Sequence, residues 1–496
     1  MNPLLYQVNT RVLLAERGLD LGRPATLDDV PDAFLDDVAA HGFDWVWMLG
    51  VWQTGEAGRD VSASNAAWLA EYHEALPDFT PEDVVGSPFA IVDYGVHRDF
   101  GGDDALARLR ARLTDRGLKL LLDFVPNHTA IDHPWLRDFP HRYVGGSDAD
   151  LREQPQNFFQ AGDRVVAHGR DPYFDGWPDT AQLNYRHVDL RAAITSELER
   201  VAARCDGVRC DMAMLLEPAV FASTWGDRSL PIDGAPPVDA DFWPEAISTV
   251  RSRQPGFVLM AEVYWDLEWQ LQQHGFDYTY DKRLYDRLRS GEAAAVRGHL
   301  TADPDFQRSS ARFLENHDEP RAVEIYPEVA RHEAAAVVTY LGTGLRFLHE
   351  GQLVGRRVKA PLHLRRRPVE EADPVVMAFY NRLLEVLTDP VLQEGHWQLL
   401  DTARAWTDNP TDDAYVVAGW SVAPGAPLRW IVAVNLSDQQ AQTRVLLTDA
   451  LLVADTLRLT DRMHEGVVYE RDLADIAANG LFLDLPPYGY NVFTVS

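Results

Sequence analysis

Lysine is nearly missing from this 496-residue chain. It occurs only at positions 119, 282 and 359, so arginine carries almost all the positive charge. We read this as coding bias and take no function from it. Cysteine is as scarce, at Cys205 and Cys210 alone. Both lie in or beside one predicted strand, where local geometry holds them too far apart to pair. No disulfide framework or zinc-ligand spacing accompanies them. No apolar run approaches membrane-spanning length. The start, Met1-Asn2-Pro3-Leu4-Leu5-Tyr6-Gln7, lacks a basic segment followed by a signal-type apolar run. Repeats and low-complexity linkers are lacking too. A cytoplasmic location is the expectation.

Acid is in excess. The formal charge of -30 is spread along the chain and not gathered in a tail. It argues against nucleic acid and anionic membranes as partners. Oligomeric state is not legible. Hydrophobic content of 46% is ample for a core. The length exceeds what one compact core usually holds, so a large domain plus a smaller one is expected.

The hydrophobic pattern alternates between short apolar runs and helical periodicity. Leu4–Thr10, Asp44–Leu49, Lys119–Val125, Gly207–Met212, Phe257–Glu262, Phe276–Tyr280, Arg312–Leu314 and Leu345–Leu348 read as strands. Near-continuous apolar runs suit strands covered on both faces. Leu27–His41, Asp103–Arg116, Val188–Arg204, Pro244–Arg253, a segment from Asp281, His332–Leu341 and Val375–Leu387 read as helices. Such alternation gives a parallel sheet, and about eight units close as a (β/α)8 barrel. The barrel is expected over 1–128 and 187–392. Residues 129–186, rich in His, Pro, Trp, Tyr and Asp, form an inserted subdomain after the third strand. From 393 to 496 short alternating strands predict an antiparallel β-sandwich.

Charges sit where these strands end. Arg209 and Asp211 are two apart, so on a strand they share a face. A cation beside a carboxylate holds it ionised, as a carboxylate nucleophile requires. A structural ion pair fits the same two residues. The other ends add Asp123, Glu262 and Asp318, with Asn127, His128, Asn316 and His317 beside them. The C-terminal ends of barrel strands are where active sites form. Carboxylates meeting in one mouth push their pKa values apart, as glycoside hydrolysis needs.

Four segments then carry a resemblance: Asp123-Phe-Val-Pro-Asn-His128, Gly207-Val-Arg-Cys-Asp211, Ala261-Glu262-Val263 and Phe313-Leu-Glu-Asn-His-Asp318. In order and spacing they are similar to the four signature segments of the α-amylase family, glycoside hydrolase family 13. Asp93-Tyr94 ahead of Gly101-Gly102, and Leu183-Asn184-Tyr185, also fit it. The resemblance implies Asp211 as nucleophile, Glu262 as acid and then base, and Asp318 as holder of the sugar hydroxyls. It implies Arg209 as the group that keeps Asp211 ionised, and His128 and His317 as hydrogen-bonding partners of the sugar. Tyr94 would stack beneath the ring, and Asp93 would orient Tyr94 or its neighbours. Asp123 is given a structural role near Arg209.

The implied activity is retaining hydrolysis of short α-glucosides or malto-oligosaccharides, with a small carbohydrate as partner. Transglycosylation, isomerisation or phosphorolysis by the same triad is the alternative. A non-catalytic carbohydrate-binding or scaffold protein is the second. A metal-dependent hydrolase is disfavoured because the histidines show no ligand pattern. Asn127 occupies a calcium-ligand position of many relatives, but Met214-Leu215 replaces their Lys-His pair. No metal or cofactor is assigned, with structural calcium left as an open possibility. Trp45 and Trp47 are expected in the core, and Trp52, Trp177 and Trp265 at the rim. The basic run Arg356, Arg357, Lys359, Arg365, Arg366 and Arg367 would either neutralise the acidic surface or bind an anionic aglycone.

Overall fold

The computed structural model describes residues 1–447 and 456–496. Eight parallel strands close a barrel: β1 (Leu4–Asn9), β2 (Trp45–Leu49), β3 (Lys119–Phe124), β4 (Gly207–Cys210), β5 (Val258–Ala261), β6 (Tyr278–Tyr280), β7 (Ser310–Arg312) and β8 (Leu345–His349). Neighbours in sequence are neighbours around the barrel, and β8 closes on β1. Alternate side chains point inward. Leu5, Trp47, Leu121, Met260, Tyr280, Phe313 and Phe347 fill the interior as one apolar cluster.

Register sets the height of the charged residues. Arg209 on β4 pairs with Asp123 on β3 and Met260 on β5, and Cys210 pairs with Ala261. Asp211 and Glu262 are the next residues along, so they leave the sheet side by side. Sequence periodicity finds the two strands but not this pairing.

Several elements differ from expectation. A helix at Thr10–Leu21 follows β1; its N-cap Asn9 accepts from the Val12 N–H, and Gly22 ends it at φ 64°. The helix read over Leu27–His41 is split into a turn at Leu27–Asp29 and a helix at Asp32–Ala40, because Pro31 cannot continue a helix from within. The polar stretch after β2 folds into helices Glu56–Ser64 and Ala66–Ala75. Strand β7 starts two residues earlier than read, at Ser310.

Between β3 and β4, His128–Ala130 pairs with Thr180–Gln182, and Gly145–Gly146, Arg164–Ala167 and Phe158–Ala161 form a small antiparallel sheet. Beyond the last barrel helix, Pro374–Leu387, the chain enters a six-stranded sheet faced by a three-stranded one. Leu400, Val417, Ile431, Leu459, Leu483 and Phe493 pack between them. The expected sandwich range includes 448–455, which lie outside the described residues. Among the described residues no helix is long and apolar enough to cross a membrane.

Candidate active site

One guanidinium organises the mouth. Arg209, 0% exposed, contacts Asp211 Oδ1 through Nη1 at 2.6 Å, and Glu262 Oε2 and Asp318 Oδ2 through Nη2 at 2.7 and 3.9 Å. Its Nε donates to the Tyr280 hydroxyl at 3.2 Å. The three carboxylates come from the ends of β4 and β5 and from beyond β7, and meet at one point. Asp211 and Glu262 are nearly covered, whereas the Asp318 side chain is 39% exposed and opens to solvent.

Local backbone geometry supports this. Met212, directly after Asp211, takes the left-handed region at φ 44°, unfavourable for a residue with a side chain. There its N–H donates to Glu262 Oε2 at 2.7 Å, and the Ala213 N–H donates to the Glu262 carbonyl at 3.0 Å. The Tyr264 hydroxyl donates to Glu262 Oε1 at 2.9 Å. Glu262 is therefore fixed from both ends.

Burial raises both Asp211 and Glu262 above the ordinary carboxylate range, with Arg209 opposing. Asp211 rises to about 6 and Glu262 to about 7. Burial acts on Asp318 too, but His317, Arg209 and Lys359 outweigh it and hold Asp318 well below that range. Three carboxylates within reach of one cation thus differ in proton affinity, raised at Asp211 and Glu262 and lowered at Asp318.

Of the remaining sequence-derived residues, His317 lies at the triad. Its Nε2 is 3.0 Å from Asp318 Oδ2, a close electrostatic contact bent away from hydrogen-bond geometry. Its ring packs edge-on against Trp47 at 5.4 Å. Asp123 is fully buried and accepts from Trp47 Nε1 at 2.9 Å and the Gly50 N–H at 2.6 Å. His128 is buried against Trp177, with ring centroids 5.2 Å apart, and burial lowers its pKa to about 3, so it is neutral.

Asp93 and Tyr94 are not where a sugar-stacking role needs them. The Asp93 side chain is 58% exposed and pairs with Arg200 at 3.0 Å. Tyr94 is buried; its hydroxyl donates to the Val125 carbonyl at 3.0 Å and accepts from the Val125 N–H at 2.9 Å. Its ring packs on Phe124 and Trp52, and none of these contacts involves the triad. With His128 and Glu197 the two line a separate cavity of about 220 Å³. The aromatic at the mouth is Phe89, half-buried, 5.3 Å from the Arg209 guanidinium and 5.6 Å from the His317 ring.

Sequence reasoning also missed Gln7, Tyr264 and Tyr280. Gln7 alone carried a signal, a polar residue inside the apolar run of β1. Trp52, expected at the rim, is fully buried and donates to the Asp123 carbonyl. Trp265 does reach a rim loop, at φ 66°, edge-on to the exposed Tyr173.

The basic run is largely neutralised by acids. Arg357 meets Glu324, Arg366 meets Asp83, and Arg367 meets Glu16 and Glu350. Lys359 instead donates to the Asp318 carbonyl at 2.5 Å, at the edge of the mouth. Asn127 Oδ1 accepts from Gln182 Nε2 at 3.0 Å, and its Nδ2 donates to Gln182 Oε1 at 3.3 Å.

Known proteins are similar to this chain in sequence and in fold. The chain is 24% identical over 427 residues to alpha-amylase MalA of Haloarcula japonica, covering 82% of this chain and 52% of that protein. It is 26% identical over 270 residues to an alpha-1,4-glucan:maltose-1-phosphate maltosyltransferase of Burkholderia pseudomallei, covering 53% of this chain and 20% of that one. The chain thus spans about half the length of the first relative and a fifth of the second. In fold it is similar to the maltogenic alpha-amylase AmyB of Thermotoga neapolitana, with a TM-score of 0.68 at 15% identity over 99% of this chain and 98% of that one. The family model described as "Alpha amylase, catalytic domain" matches residues 85–373, more than half of the chain, and spans all four signature segments. This protein belongs to the alpha-amylase catalytic-domain family.

Proposed function

We propose that this protein is a retaining α-glycoside hydrolase acting on short α-glucosides or malto-oligosaccharides. The observation that carries the reading is the shared guanidinium, which sets Asp211 and Glu262 side by side with Asp318 in one mouth. Retaining enzymes need their two carboxyl groups only about 5–5.5 Å apart.

In the first step Glu262 gives its proton to the glycosidic oxygen as the bond to C1 breaks. Asp211 attacks C1 from the opposite face and forms a glycosyl ester. Glu262, now ionised, takes a proton from water, and the water oxygen displaces Asp211 from C1. Positive charge develops at C1 in both transition states, and the ionised Asp318 lies beside it. His317 and Phe89 line the same mouth and would hold the ring.

Transfer to a sugar acceptor uses the same intermediate. The printed name of the Burkholderia relative is that of a transferase. We infer water as the acceptor, and product analysis with and without added maltose separates the two. The direct test of the reading is proton NMR of the first product from maltotriose. The α-anomer is expected first, with turnover lost in Asp211→Asn. An initial β-anomer, or undiminished turnover in that variant, would refute it.

A further inference from the structure

Away from the triad, three ligating side chains distant in sequence come together. Glu217, Asp241 and His274 each offer a ligand atom, and these atoms lie within 4.8 Å of one another. Glu217 precedes the helix Pro218–Trp225 that follows β4. His274 ends the helix Glu268–Gln273 that follows β5. Asp241 lies in the loop before the helix Trp243–Arg253. The group therefore sits where the segment carrying the nucleophile meets the segment carrying the acid.

Its charge balance is unusual. Glu217 is 2% exposed, and among the described residues no lysine or arginine pairs with its carboxylate. A buried carboxylate without a cation is strongly disfavoured. Arg191 donates to the Asp241 backbone carbonyl. His274 faces both acids, with Nδ1 3.2 Å from Glu217 Oε1 and Nε2 3.8 Å from Asp241 Oδ2. Gln270 Nε2 donates to Glu217 Oε2 at 2.5 Å, leaving Oε1 toward the imidazole. Outer partners of this kind orient metal ligands.

We propose that Glu217, Asp241 and His274 hold a divalent transition metal of the zinc class. One nitrogen and two carboxylate oxygens suit that metal, with water completing four-coordination. One ring nitrogen would bind the ion, and the three ligand atoms lie within 4.8 Å of one another, wider than the edges of about 3.3–3.6 Å that bonds of about 2.0–2.2 Å give a tetrahedral site. The Asp241 side chain, half exposed, is free to close the remaining gap.

A second trio, His141, His187 and Asp189, has similar spacing but a different balance. There Arg142 Nε already donates to Asp189 Oδ2 at 2.7 Å, and His187 Nδ1 accepts from the Asp189 N–H as a helix cap. A guanidinium occupies the place of the cation, so this trio serves as the control. At Glu217 the metal would brace the segment that presents the Met212 N–H to Glu262.

The test is a calorimetric titration of zinc chloride into untagged, chelator-stripped protein, with cobalt(II) absorption as a second readout. One equivalent is expected to bind, with the intense visible bands of four-coordinate cobalt. Binding should weaken at least about tenfold in Asp241→Asn and in His274→Gln, and stay unchanged in His141→Gln. Asp241→Asn, on a half-exposed side chain, keeps the test valid if the His274 variant folds poorly. No saturable binding, binding indifferent to both variants, or loss only in His141→Gln would overturn the proposal.

Discussion

Gln7 Nε2 lies 2.7 Å from His317 Nδ1, joining β1 to the segment beyond β7, two strands away around the barrel. With the amide donating, Nδ1 is the acceptor, and the ring is held with Nε2 3.0 Å from Asp318 Oδ2. Replacing Gln7→Leu frees the ring to change tautomer or rotate. We expect kcat/KM to fall by about ten- to a hundredfold, with the change resting mainly in kcat. Steady-state kinetics on a maltosyl substrate checks this; unchanged kcat would show that His317 needs no such anchor.

The raised proton affinities of Asp211 and Glu262 predict a narrow pH profile. Activity needs Asp211 ionised and Glu262 protonated, so kcat/KM should rise through about 6 and fall through about 7. In Glu262→Gln the basic limb should vanish when the substrate carries a leaving group that needs no protonation. A profile flat from about pH 5 to about pH 9 would contradict the division of roles.

Phe89 and Tyr94 separate two expectations. Phe89→Ala removes the aromatic wall beside His317 and should lower kcat/KM by about a hundredfold, with stability little changed for a half-buried ring. Tyr94→Phe deletes a hydroxyl that both donates to and accepts from the Val125 backbone. That variant should lose ~1–2 kcal/mol of stability and keep kcat/KM within about twofold. Urea unfolding together with kinetics reads both. The opposite pattern would return Tyr94 to the sugar.

Asp179 makes stability depend on pH. Burial raises its pKa from 3.8 to about 6, and its Oδ2 has no hydrogen-bond partner. The folded state holds the proton more tightly than the unfolded chain. The stabilisation is thus complete below about pH 4 and is lost as pH rises through about 6. Over the full range the loss is up to ~3 kcal/mol. Asp179→Asn should remove most of this dependence, so it gains on wild type above about pH 7. Urea midpoints at about pH 4.5 and about pH 8 decide it, and parallel shifts in both proteins would exclude the assignment.

What the sequence discloses is the set of strand ends. Asp123, Arg209, Asp211 and Glu262 each interrupt or close an apolar run, and such a charge is visible without coordinates. Their pairing is not visible, because the match of Cys210 with Ala261 depends on closure of the whole barrel. Phe89 carries no motif of its own, while the nearby Asp93-Tyr94 pair, similar to a family motif, draws the role instead. Pro31 split a helix whose apolar spacing continues across it. Glu217, Asp241 and His274 show no ligand spacing in sequence, since three separate loops deliver them.

The most direct measurement is the mass of the enzyme caught in mid-reaction. Incubation with a 5-fluoro-α-glucosyl fluoride slows the second step more than the first and should let the glycosyl ester accumulate. A single added fluoroglucosyl group, located by peptide mapping on Asp211 and absent from Asp211→Asn, is the predicted result. Turnover with no adduct at any time, or an adduct on another carboxylate, would contradict Asp211 as the nucleophile.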